Sequence, residues 1–302
     1  MQDSTLKRWL LKVWFEVQDG CRLHYIRKHY SLSIMTAEKT IAYIKRHRCS
    51  IARYGDGEFA IMLQRGAPGF QKGSEEMAAA MLAVFENPSD RLLICLPHAL
   101  VSTKGFEPWA KAVWEGWARS NQREVVQHIC KLIGNDYCFG DAYISRPFTA
   151  YKSKLYAAKM FSCLKELWNG RDILIVEGAQ TRLGVGNDLF SRAKSIKRIL
   201  GPSENAFDNY SEIYNAVCSN WQGELVILAL GPTATILASD LSKTGIQALD
   251  LGHIDIQYEW FLKNDKTFKP VASKYTNEAV GGQQVEYCAD EKYLAQIIGD
   301  VS

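Results

Sequence analysis

The run Leu225-Val226-Ile227-Leu228-Ala229-Leu230 constrains the fold more than any other stretch of this chain. Apolar residues without polar alternation belong to a strand covered on both faces, which is the habit of parallel sheets flanked by helices. Asp172-Ile173-Leu174-Ile175-Val176 and Leu92-Leu93-Ile94-Cys95-Leu96 have the same character. Shorter runs at 50–52, 137–144, 195–200 and 248–251 read as further strands. Helical patterns lie between them: one opened by Thr36 as N-cap, then 75–85, one from Pro108, 149–168, 210–217 and 236–243. The tail from Lys266 reads as polar and irregular, with Gly281-Gly282 as a hinge-like pair. The alternation predicts an α/β fold: a Rossmann-like, mostly parallel sheet with helices on both faces.

Composition allows this. The chain has 302 residues, 47% hydrophobic and 23% charged, enough to bury a substantial core. A net charge of +3 is too mild to make nucleic acid the main partner. The 8 cysteines include no C-x-x-C pair and read as reduced core residues of a cytoplasmic protein. No apolar run approaches the roughly 18 residues that span a bilayer. Lys7, Arg8, Lys12 and Glu16 interrupt the N-terminal apolar residues, so no signal peptide is expected. Residues 1–33 form a separate basic, Trp-bearing amphipathic helical extension, and 34–302 the main domain. Residues 5–30 suit peripheral contact with the inner face of an anionic membrane, and equally packing on the domain or on a second subunit of a homodimer.

Ligands of such sheets bind beyond the carboxyl ends of the strands. The polar turns fall there, at 53–58, 145–148, 177–188, 201–205, 231–235 and 250–259. In Arg53-Tyr54-Gly55-Asp56-Gly57-Glu58-Phe59 the glycines Gly55 and Gly57 let a ligand approach the backbone. Asp56 and Glu58 suit a hard divalent cation, and Arg53 suits a phosphate. The same residues also fit an ordinary β-turn with solvated acids. Gly231-Pro232-Thr233 opens a helix after a buried strand and reads as a phosphate cradle or a structural turn. It matches neither a Walker loop nor the G-x-G-x-x-G fingerprint. Arg182 with Gly184-Val185-Gly186-Asn187-Asp188 suits a diphosphate or ribose, or plain helix-cap chemistry. Arg146 and Asp250, in two more of these turns, complete the substrate-binding candidates. Asp255 and Glu259 are four apart and share a helix face, with His253 at the preceding turn. Trp109, Val113 and Trp117 share another face, with Trp114 to the side; core packing is the default, and exposed Trp would suit a sugar acceptor. The lysines at 152, 154, 159 and 165 read as a solvated face.

Four motifs in one order carry a resemblance: 53–59, Gly184-Val185-Gly186-Asn187-Asp188-Leu189-Phe190, Leu230-Gly231-Pro232-Thr233-Ala234-Thr235, and Leu251-Gly252-His253-Ile254-Asp255 with Tyr258-Glu259-Trp260. Together they resemble the GT-D-type glycosyltransferases, first known as a domain of unknown function in bacterial surface-glycan gene clusters. The likeness runs from about Thr36 to about Glu278. It implies a nucleotide-diphosphate sugar donor, UDP-linked and carrying glucose or another hexose. It also implies a glycan, glycolipid or glycoprotein acceptor, and Mn2+ or Mg2+ bound through an Asp-x-Glu motif that matches Asp56 and Glu58. On this reading Glu259 is favoured over Asp255 as the base that activates the acceptor, and His253 positions donor or acceptor. Two rivals are a metal-dependent phosphoesterase using the same carboxylates and a non-catalytic membrane-surface scaffold.

Overall fold

Among the described residues, nine strands form one parallel sheet in the order β1-β4-β3-β2-β8-β7-β5-β6-β9. They are β1 (Ser33–Ile34), β2 (Ser50–Arg53), β3 (Leu92–Leu96), β4 (Cys138–Asp141), β5 (Asp172–Gly178), β6 (Ser195–Gly201), β7 (Leu225–Ala229), β8 (Ala248–Asp250) and β9 (Ile297–Asp300). The structure, a computed structural model, describes residues 24, 25, 28, 30, 32–119, 123–134 and 136–302. The amphipathic extension expected over residues 5–30 lies almost wholly outside the described residues.

The strand sequences explain the layers. Ile173, Ile175, Leu225 and Ile227 face one side, and Leu174, Val176, Val226 and Leu228 the other; all are fully buried. Each such side chain contributes roughly 1.5–3 kcal/mol when taken from water. A strand covered on both faces therefore has no place for polar alternation. The first face is closed by helices α1 (Ala37–His47), α6 (Lys154–Lys165) and α9 (Ile254–Lys263), with Trp168 and Trp260 in the packing. The second is closed by α7 (Tyr210–Asn220) and α8 (Thr233–Lys243) through Ile213, Val217, Leu237 and Leu241. Farther along the sheet, α3 (Glu75–Glu86), α4 (Pro108–Arg119) and α5 (Arg123–Ile133) bring Met77, Met81, Phe85, Trp114 and Ile129 into one cluster with Ala52 and Ile94.

The connections create a switch point. From β2 the chain moves outward through β3 to β4; the later strands return through β7 to β8, which pairs with β2 at Ile51 and Leu249. Between the two halves, loops leave in opposite directions and open a crevice.

Several expectations need correction. The strand read over 137–144 ends at Asp141, because its buried carboxylate accepts from the backbone N–H of Tyr143 (2.9 Å) and of His98 (3.1 Å) and turns the chain into a 3-10 segment. Helix α6 begins at Lys154 rather than 149: Gln257 Oε1 takes the Thr149 N–H (2.9 Å), and Ser153 caps Tyr156 N (3.1 Å). The tail is not wholly irregular. It carries α10 (Glu291–Gln296), capped by Asp290, and then β9 beside β6. Lys165 is not on a solvated face: it is 11% exposed, paired with Asp188 and stacked over Tyr258. On α4 the buried tryptophans are Trp114 and Trp117, whereas Val113 is exposed. Cys49 and Cys95 are core residues; Cys138 and Cys218 are exposed.

Candidate functional site

A cleft of about 540 Å3 opens at the carboxyl edge of the sheet, where the loops that follow β2 through β8 converge. Its floor is built on Arg53 and Asp250, the last residues of β2 and β8. Arg53 Nη2 donates to Asp250 Oδ1 (2.7 Å), Nε to the Asp250 carbonyl (2.7 Å) and Nη1 to Ser145 Oγ (2.6 Å). Asp250 Oδ2 accepts the Arg53 backbone N–H (3.1 Å) and the Thr235 hydroxyl (3.3 Å). Gly252, at φ +42°, leaves room for this guanidinium: a Cβ there would stand 2.6 Å from Arg53 Nη2. Arg53 thus lines the cleft, while three of its donor contacts go to the protein. Asp250 is 1% exposed and holds Arg53 in place.

The next residues form a rigid turn. Tyr54 is buried against Phe59 and Phe85 and donates its hydroxyl to the Met81 carbonyl (2.8 Å). Helix α2 (Asp56–Met62) starts immediately, with Glu58 Oε2 accepting the Gly55 N–H (2.8 Å). That bond fixes the Glu58 carboxylate at the helix mouth. Burial raises its pKa above the ordinary carboxylate value, with Asp250 adding to the rise and Arg53 opposing it. Asp56 is exposed on the same turn. Gly55 and Gly57 both line the cleft, and Gly57 lies under Pro68.

Arg146 faces this turn from the loop after β4. Its guanidinium pairs with Glu278 (Nη2 to Oε1, 2.5 Å). Burial alone would lower the Arg146 pKa, but Glu278 outweighs it and the net shift is upward, with Asp56 adding to the rise. His253 stands on the other side of Glu278, Nε2 to Oε1 3.8 Å. Burial depresses the His253 pKa to about 4, so the ring is neutral at pH 7. Burial pushes Glu278 upward, but Arg146 and His253 outweigh it and hold its pKa at about 2.

A second polar network lies behind the cleft wall. Lys274, 1% exposed, donates to Asp255 Oδ2 (2.7 Å) and Glu259 Oε1 (3.0 Å). Asn187 Nδ2 donates to Asp255 Oδ1 (2.7 Å) and to the same Glu259 oxygen (2.7 Å). Asp255 reaches the cleft; Glu259 and Asn187 do not line it. Burial would raise the Glu259 pKa, but Lys274, with Asn187 and Lys263, brings the net shift below the ordinary value. Asp188 turns away to Lys165 (2.8 Å) and Tyr258 (2.6 Å). Arg182 is 7% exposed and donates to the carbonyls of Ser273 (2.8 Å) and Glu286 (2.7 Å).

The Gly231 turn lines the cleft beneath Phe70, and a Cβ on Gly231 would meet that ring at 2.4 Å. Pro232 and Thr233 sit behind it, both buried, with Thr233 Oγ1 donating to Gln71 (3.3 Å). The residues that sequence reasoning missed are Lys274 and Glu278. They lie in a segment with no strand, helix or motif, and only the family likeness extending to about Glu278 hinted at them.

These features define a parallel α/β protein with a cleft at the switch point of its sheet, lined by charged residues from several loops. The chain belongs to the GT-D-fold glycosyltransferase family, whose model matches residues 51–279. It is 35% identical over 271 residues to glycosyltransferase GlyD of Streptococcus pneumoniae, and 35% identical over 274 residues to a probable glycosyl transferase, Gly, of Streptococcus gordonii. These alignments cover 89% and 90% of this chain but 33% and 39% of the relatives, so the chain spans about a third of their length. A solved structure of the domain of unknown function 1792, described as having a distinct glycosyltransferase fold, superposes with a TM-score of 0.84. It is 33% identical and covers 94% of this chain and 100% of its own. A second, a new glycosyltransferase from Streptococcus sanguinis, gives a TM-score of 0.83 at 33% identity, covering 90% of this chain and 100% of its own.

Proposed function

We propose that this chain transfers a hexose from a nucleotide-diphosphate donor, UDP-linked, to a hydroxyl of a glycan, glycolipid or glycoprotein. The observation that carries the reading is the meeting of Asp56, Glu58 and Arg146 in one cleft at the β2–β8 switch point. Two carboxylates and a cation suit a diphosphate, which needs its charge divided between a metal and protein donors.

Asp56 and Glu58 fit Mn2+ or Mg2+. Among the described residues no group of three or more His, Cys, Asp or Glu is poised as a complete metal cage. Ions of this kind on nucleotides are held by one or two carboxylates, with substrate phosphates and water supplying the rest. A cation there would act as a Lewis acid toward the departing diphosphate. The protein residues do the remaining work. Glu58, fixed by Gly55, presents an ordered oxygen, and exposed Asp56 can swing to the same ion. Arg146 offers its free edge to phosphate. Arg53, locked by Asp250, shapes the floor. His253 lines the cleft, and among the described residues its ring has no closer polar partner than Glu278 at 3.8 Å; on this reading it contacts donor or acceptor. Trp109 and Val113 line the same cleft from α4 and offer an apolar surface to an acceptor sugar.

Thermal-shift measurement with a panel of nucleotide sugars, with and without Mn2+, tests the reading. A ligand at about 100 times its Kd stabilises by about 2.7 kcal/mol. For a chain of this size that is a rise in Tm of roughly 5 °C. The reading expects such a rise with a UDP-sugar and Mn2+ together; no response to any nucleotide sugar would refute it.

A further inference from the structure

Glu278 is a carboxylate of the cleft that neither the motifs nor the metal reading employs. It comes from the segment between α9 and α10, which has no regular structure yet is fastened at many points. Arg182 holds the carbonyls of Ser273 and Glu286, and Lys274 is buried against Asp255 and Glu259. The Tyr275 N–H donates to the Gln180 carbonyl (2.8 Å), and the Thr276 N–H to that of Gly282 (2.7 Å). A Cβ on Gly282 would stand 2.2 Å from the Thr276 carbonyl oxygen, so the hinge-like pair is a tight closure. The residues that the sequence marked as a substrate loop and a base, Arg182, Asn187, Asp255 and Glu259, form this anchorage. What the anchored segment presents to the cleft is Tyr275, Asn277 and Glu278.

The Glu278 carboxylate is ionised and incompletely satisfied. Oε1 meets Arg146, whereas Oε2 is out of contact with solvent and has no hydrogen-bond partner. An ionised carboxylate accepts several hydrogen bonds, and leaving an oxygen bare at low polarity is costly. The terminal torsion of a glutamate is soft, so the carboxylate can turn to offer an oxygen to a donor in the cleft that Glu278 lines. Arg146 pairs with Glu278, feels the charge of Asp56, and lines the cleft with both. A donor whose diphosphate is held at Asp56 and Arg146 shares the cleft with Glu278, the direct partner of Arg146.

We propose that Glu278 is a specificity-determining residue that accepts a hydrogen bond from a hydroxyl of the donor sugar. The inference rests on the donor reading above. A charged acceptor aimed at one hydroxyl rejects the analogue lacking it, because the carboxylate is then left unpaired. One monodeoxy analogue of the bound sugar should thus bind at least about tenfold more weakly than the parent.

The test is calorimetric titration of the full chain, with Mn2+, using UDP, UDP-glucose and the monodeoxy analogues of UDP-glucose, for wild type and Glu278→Gln. Wild type should lose about tenfold or more on one analogue. Glu278→Gln should bind UDP as wild type does, bind UDP-glucose about tenfold more weakly, and no longer distinguish that analogue. If all analogues bind wild type equally, the proposal fails without any variant being needed. If Glu278→Gln weakens UDP and UDP-glucose alike, Glu278 serves only to hold Arg146, and the proposal fails while the donor reading stands. If wild type binds neither UDP nor UDP-glucose, the donor reading itself fails and this proposal with it.

Discussion

Arg53 and Asp250 fasten β2 to β8 at the one place where the two halves of the sheet meet. The side-chain pair is 2.7 Å long, and Arg53 Nε adds a bond to the Asp250 carbonyl, also 2.7 Å. Ile51 and Leu249 are the partners that join these strands just beneath it. The ion pair thus stands where strand pairing runs out, and the 53–59 turn grows directly from it.

Asp250→Ala removes a 1% exposed partner and leaves Arg53 with an uncompensated charge at 17% exposure. Breaking a buried pair from one side costs about 3 kcal/mol or more. Urea unfolding should show that loss of stability. A change under about 1 kcal/mol would mean that the pair is no stronger than an exposed salt bridge.

Lys274→Met should be still less tolerated. It leaves Asp255 and Glu259 facing one another with Asn187 as their remaining shared donor. A loss of about 3–5 kcal/mol is expected, largely recovered when Asp255→Asn and Glu259→Gln are added. Glu259→Gln alone should keep turnover within about tenfold of wild type, short of the roughly 100-fold or more that losing a general base costs. A larger loss at unchanged stability would make Glu259 the base that the family resemblance favours.

Acid should weaken the fold through His253. The folded ring takes its proton near pH 4, the unfolded one near 6.5. Between those values the unfolded state binds more protons, so stability falls as pH falls. Asp141, raised to about 6 chiefly by burial, works in the opposite sense over part of that range, so the variant must be compared with wild type. Tm measured from pH 7 to pH 4 should fall less steeply in His253→Gln than in wild type. Parallel curves would mean that His253 titrates alike in both states.

The strands were legible because a doubly covered sheet writes itself as unbroken apolar runs, as in 172–176 and 225–230. Strand β9 was not: Ile297-Ile298-Gly299-Asp300 is short, half-exposed and paired only at the sheet's edge. The Asp56–Glu58 turn was legible because strand, glycines, carboxylates and helix are contiguous. Glu278 and Lys274 were not, because a lone charge in an irregular tail looks solvated until the fold buries it. Asp255 and Glu259 were rightly placed on one helical face, but spacing says nothing of what fills the space opposite, and Lys274 fills it.

Calorimetric titration of UDP-glucose into wild type and Asp56→Asn, each with Mn2+ and again with EDTA, tests the account most directly. Wild type should bind with Mn2+ and lose at least about tenfold with EDTA; Asp56→Asn should bind weakly in both, since removing a ligand carboxylate mimics removing the ion. Equal binding by wild type with and without metal, or by the two proteins with metal, would contradict the assignment of the 53–59 turn.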